Sequence, residues 1–145
     1  MILSLDVKLA GGAFAKTKWK GVIEIMDTHS LQDLHLAIQD AVDFDCDHLY
    51  EFFIAKTPGS RDRFTITDDE EFDGKPDAFE QKVGSLFPLP DKMSLFYLFD
   101  YGDDWCFKIS LSKKQGIKPI AGVRYPRLVS EVGDKPEQYP DWDDE

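Results

Sequence analysis

The chain has 145 residues, with seventeen Lys and Arg against twenty-eight Asp and Glu and a formal net charge of −11. That length suits one domain able to bury roughly 68–70% of the surface its unfolded chain exposes, and eleven Phe argue against a disordered polymer. No run nears the ~18–20 apolar residues of a membrane helix, no basic-then-apolar leader is visible, and Cys46 and Cys106 make neither a disulfide framework nor a four-cysteine zinc site; a protein of the reducing cytoplasm is expected, with no membrane partner.

Leu3, Leu5, Val7 and Leu9 alternate with Ser4, Asp6 and Lys8, and period two predicts a strand with one wet face. Gly11-Gly12 breaks it, and a second strand from Trp19 to Met26 completes a hairpin. The period then changes. Leu31, Leu34, His35, Ile38, Ala41 and Val42 recur at helical spacing over about 31–43, behind an N-cap at Ser30 and an acid at Asp33.

His48 to Ile54 is rich in aromatic and β-branched types and predicts a strand. Pro58-Gly59 turns the chain into a short strand over Arg63–Thr67, with Phe64 and Ile66 inward. An acidic loop follows over Asp68–Pro76. Asp77 and Glu80 then predict a capped second helix, lined by Phe79, Val83 and Leu86 and ended by Pro88 and Pro90.

Leu95 to Phe99 is apolar on both faces, as a covered central strand requires. Tyr101-Gly102-Asp103-Asp104 has turn chemistry. Trp105, Phe107, Ile109 and Leu111 then alternate with Cys106, Lys108, Ser110 and Ser112 in the second strand of a hairpin. A further strand is expected around Val123 and Tyr125.

The order predicts an α+β fold: a mostly antiparallel twisted sheet of about six or seven strands with two helices, the first packed on one face. The opening hairpin and helix also suit a β-grasp-like arrangement. One domain is expected over 1–130, then an acidic, irregular tail over 131–145.

Three segments follow one another in a familiar order: Leu34-His35, Asp45-Cys46-Asp47-His48-Leu49-Tyr50-Glu51-Phe52 and Phe99-Asp100-Tyr101-Gly102-Asp103-Asp104-Trp105. Together they resemble the plasmid pRiA4b ORF-3-like family over about residues 1–140. Tyr125-Pro126 matches the next family landmark. Past it the chain departs from the pattern, with no Cys and only Pro136-Glu137 left of an expected Pro-Pro-Glu-Asp segment. The resemblance implies His48, Tyr50, Asp100, Gly102, Asp103 and Trp105 as motif residues. It implies no reaction, and only a loose association with plasmid and mobile-element genes.

On the residues alone, Asp100, Asp103 and Asp104 form an acidic turn that suits either a hard cation or, more simply, side-chain-to-backbone bonds, with Gly102 at positive φ and Trp105 in the core. Asp43-x-Asp45-x-Asp47 opens like a calcium loop but has His48 where Gly is needed and Ile54 where Glu is needed, leaving at most a divalent site with His48. His35 is expected to be buried and hydrogen-bonded, His48 beside Asp47 is a candidate base, and both thiols are expected to be buried. No nucleophile motif or phosphate-binding glycine loop occurs.

Trp105 to Ser130 holds no acid but holds Lys108, Lys113, Lys114, Lys118, Arg124 and Arg127, a candidate anion-binding set. The leading expectation is a non-enzymatic protein-interaction module that uses the Tyr101–Trp105 hairpin and the basic strand beside it, with an unidentified protein partner and no catalytic residue, metal or cofactor. One alternative is a metal-dependent or hydrolytic enzyme using His48 with Asp100, Asp103 or Asp104. Another is an accessory protein binding nucleic acid through the basic 108–127 segment, which the net charge disfavours.

Overall fold

A computed structural model describes residues 1–12, 15–68 and 77–138. The alternating segments form a seven-stranded sheet: β1 (Ile2–Gly11), β2 (Lys20–Met26), β3 (Tyr50–Ala55), β4 (Phe64–Ile66), β5 (Ser94–Phe99), β6 (Trp105–Leu111) and β7 (Arg127–Val132). Their spatial order is β4-β3-β5-β6-β1-β2-β7. Every pairing is antiparallel. Both strands paired with β1 are antiparallel to it, so the parallel central pair of a β-grasp is absent among the described residues.

Period two decides the two faces. Leu5, Val7, Ile23, Ile25, Tyr97 and Phe107 point to one side and are buried. Over them lies α1 (Leu31–Val42), whose Leu31, Leu34, His35, Ile38, Ala41 and Val42 are buried. The helix starts where local chemistry stops its backbone N–H groups from going unpaired: Ser30 Oγ accepts from Asp33 N at 3.1 Å, and Asp33 Oδ2 accepts from Ser30 N at 3.0 Å. It ends at Asp43, in the left-handed region at φ 60°. Phe44 then drops into the core, with its ring 5.1 Å from Trp105.

The predicted second helix does not form. Two 3-10 turns, Ala78–Glu80 and Val83–Leu86, stand in its place, and Asp77 makes no side-chain cap. The cause is tertiary. Val83 N donates to His29 O at 2.8 Å and Gly84 N to Asp27 O at 3.0 Å, so the donors a helix needs are bonded to the turn before α1. The last strand is also displaced, from the expected Val123 and Tyr125 to Arg127–Val132; the segment before it carries Pro119, a positive-φ Gly122 and Pro126, which favour turns over ladder bonds. β7 carries the sheet two residues past 130. Pro136 and Gln138 beyond it are buried.

Three smaller expectations also differ. Phe64 is 68% exposed because it opens an edge strand with a neighbour on one side only. Leu111, at the end of β6, is exposed as well. Cys46 is exposed, in a left-handed turn at φ 57°, while Cys106 is buried. The acidic loop is described only at Asp68, and the tail only as far as Gln138; the rest of both lies outside the described residues. No helix among the described residues is long and apolar enough to cross a membrane.

Candidate functional site

Three elements bring the motif residues to one corner. α1 supplies His35, the entry to β3 supplies His48 and Tyr50, and the β5–β6 turn supplies Asp100 to Asp104. Asp100 N donates to Leu49 O at 2.9 Å, which locks the turn to β3. Asp100 sits at φ 64°, and its Oδ1 accepts from Gly102 N at 3.1 Å and Asp103 N at 3.3 Å. The positive φ falls at Asp100 and at Asp104 (53°) rather than at Gly102, a correction to the expected turn. Asp tolerates the left-handed region because its short side chain bonds locally.

His48 lies between two carboxylates, its Nε2 3.6 Å from Asp47 Oδ1 and 3.5 Å from Asp100 Oδ2, with its ring edge toward Phe99. Asp47 Oδ1 also accepts from Gln138 Nε2 at 2.8 Å, and Gln138 Oε1 accepts from Asp45 N at 2.7 Å. Asp43 pairs with Lys135 at 3.2 Å. The Asp43 and Asp47 carboxylates are thus taken up by Lys135 and Gln138, and no group of three or more His, Cys, Asp or Glu among the described residues is arranged to hold a metal ion. Burial and the charge of Asp100 push the Asp103 carboxyl above its usual range.

Under the corner runs a buried polar chain. His35 Nδ1 is bonded to the Tyr97 hydroxyl, Gln39 Nε2 donates to the same oxygen at 3.0 Å, and Gln39 Oε1 accepts from Cys46 N at 3.0 Å. Burial holds the His35 ring down at about 4, so the ring is neutral at pH 7. Tyr50 is clamped between His35 and Phe79, at 3.7 Å and 4.3 Å between ring centres. Burial, with Asp68 nearby, pushes its hydroxyl up to about 12. Neither thiol is activated: burial and the charges of Asp45, Asp47 and Asp40 raise Cys46, and burial raises Cys106 to about 11. Trp105 is wholly buried, out of reach of a partner. Asp104 faces another way, lining a cavity of about 250 Å³ with Arg63 and Cys106.

Four of the basic candidates, Lys108, Lys113, Lys114 and Arg127, lie on the opposite face of the sheet from α1. Lys108 lines a groove of about 360 Å³, and Lys113, Lys114 and Arg127 line a second of about 590 Å³. Asp6 and Val22 belong to both, so the grooves are continuous. Lys118 and Arg124 line neither. Arg127 is held by Glu24, with Nε and an Nη each 2.8 Å from Oε1. Two basic residues absent from the sequence candidates, Lys8 and Lys20, join Lys108 in the first groove. The alternation of β1 puts Lys8 on the wet face, but only the strand pairing sets Lys20 and Lys108 on either side of it.

The fold and the motif corner define an α+β protein whose signature residues are bonded to one another. The plasmid pRiA4b ORF-3-like family model matches residues 2–139, and the chain belongs to that family. It is 30% identical over 109 residues to the uncharacterized protein y4hQ of Sinorhizobium fredii, which covers 75% of this chain. The chain spans 52% of that relative's length. In fold it is similar to a protein of unknown function, MM3350, from Methanosarcina mazei Go1, with a TM-score of 0.64, 24% identity, and coverage of 90% of this chain and 68% of that one.

Proposed function

We propose that the chain is a non-enzymatic interaction module that receives a protein partner on the face of its sheet opposite α1, over β6, β1, β2 and β7. The observation that carries this is charge segregation. In a chain of net charge −11, the continuous groove on this face gathers Lys8, Lys20, Lys108, Lys113, Lys114 and Arg127 against three acids, Asp6, Glu24 and Glu131. Nothing in the core needs them there. The motif corner supports the same division of labour, because the Asp100 side chain is spent on its own turn, its N–H on Leu49 O, and His35 and Gln39 on Tyr97. The contact surface thus moves from the Tyr101–Trp105 hairpin to the strands beside it.

The test is quantitative capture from cells with the wild-type chain, Lys8→Glu, Lys113→Glu and His48→Asn as baits. A partner held by wild type and His48→Asn and lost by both lysine variants supports the module. Capture that ignores the lysines and fails with His48→Asn returns the site to the motif corner.

A further inference from the structure

Lys8 is directly opposite Lys20 on β2 and directly opposite Lys108 on β6, so three lysines stand in one row across three adjacent strands. Directly opposed like charges destabilise a sheet, and none of the three is ion-paired among the described residues. The next row along the strands is Ser110, Asp6, Val22 and Ser130. Beyond it the second groove carries Lys113 and Lys114. Along the face the order is therefore a basic row, then a row of two serines with Asp6 and Val22, then the paired Glu24 and Arg127 beside Lys113 and Lys114. Lys108 and Ser112, four residues apart along β6 and its end, are ~13 Å apart at the rise of an extended strand, and Lys113 and Lys114 follow directly where the chain bends.

A nucleic-acid strand carries a charge at every nucleotide and would set one over Asp6. An extended peptide matches the pattern instead. Its residues i, i+2 and i+4 share one side, and i and i+4 lie ~13 Å apart. We infer that the groove binds an extended acidic segment of a partner protein, with a carboxylate at i on the Lys8–Lys20–Lys108 row, an apolar residue at i+2 on Val22, and a second carboxylate at i+4 on Lys113 and Lys114. This rests on the face opposite α1 being the contact surface and names what that face accepts.

The experiment is fluorescence anisotropy with the full chain and three labelled probes: a blocked peptide containing Glu-Thr-Val-Thr-Glu, one of the same composition with its two Glu adjacent, and oligo-thymidine. The spaced peptide is expected to bind most tightly and to weaken with added salt. Lys8→Glu and Lys113→Glu should each weaken it by about tenfold or more, and Lys118→Glu should leave it unchanged. Equal binding of the two peptides, tighter binding of oligo-thymidine, or no peptide binding each overturns the inference. Should the peptides fail while cellular capture still depends on Lys8 and Lys113, only the ligand class falls; should capture ignore both lysines, the face opposite α1 falls with it.

Discussion

His35 and Tyr50 lie face to face, 3.7 Å between ring centres and 2° from parallel. This contact ties α1 to the strand that carries Tyr50 of the His-Leu-Tyr motif. His35 is buried and neutral, so it acts as a packing and hydrogen-bonding group.

Stability should fall as acid is added. The unfolded chain takes up a proton at the ordinary histidine value of 6.5, whereas the buried His35 ring does so only at about 4. Between those values the unfolded state binds more protons, so stability drops as pH falls from 6.5 to 4 and this contribution is constant below. The loss attributable to His35 is at most about 3 kcal/mol. Urea midpoints across that range should show a slope that is reduced in His35→Gln.

The β5–β6 turn gives an inverted expectation for its glycine. Gly102 is not at positive φ, and a Cβ there would meet only Asp100 Oδ1, at 3.4 Å. Gly102→Ala should therefore shift stability by no more than ~0.5 kcal/mol. Asp100→Ala removes the acceptor of two backbone N–H groups at a left-handed position and should cost about 2–4 kcal/mol. Denaturant titration of both variants checks the pair; the opposite ranking would move the strain to Gly102.

Trp105→Ala should cost about 3–5 kcal/mol, since the ring is wholly buried beside Phe44. Tyr101, four residues earlier in the same hairpin, is partly exposed and donates from its hydroxyl to Tyr50 O at 3.4 Å. Tyr101→Ala should cost about 1 kcal/mol or less. Equal losses would show that the hairpin's aromatic residues share one role.

Gly133 and Gly122 separate backbone strain from collision. Both have positive φ, 90° and 82°. A Cβ on Gly133 would stand 1.7 Å from Lys18 O, whereas one on Gly122 meets nothing within 4 Å. Gly122→Ala should cost about 1–2 kcal/mol from strain alone. Gly133→Ala should cost clearly more, because β7 must leave β2 to admit the methyl. Hydrogen exchange of β7 amides would report that loss directly.

What was legible in the sequence was local. Ser30 and Asp33 cap α1 through residues three apart, and the alternation of β1 and β6 marks their buried faces without help from the rest of the fold. The 3-10 turns were hidden because the bonds that replace a second helix reach from Val83 and Gly84 back to Asp27 and His29. The lysine row was hidden for a related reason. Lys8, Lys20 and Lys108 are far apart in sequence, and only the register of β1 against both neighbours aligns them. Asp100 misled because Gly102, two residues on, is the ordinary choice for positive φ.

The most direct test of the face opposite α1 joins stability and capture in one variant. Lys8→Glu places a carboxylate between Lys20 and Lys108, so its urea midpoint should rise by the equivalent of about 0.2–1 kcal/mol while partner capture is lost. A variant that is less stable than wild type, or that still captures its partner, would contradict the account.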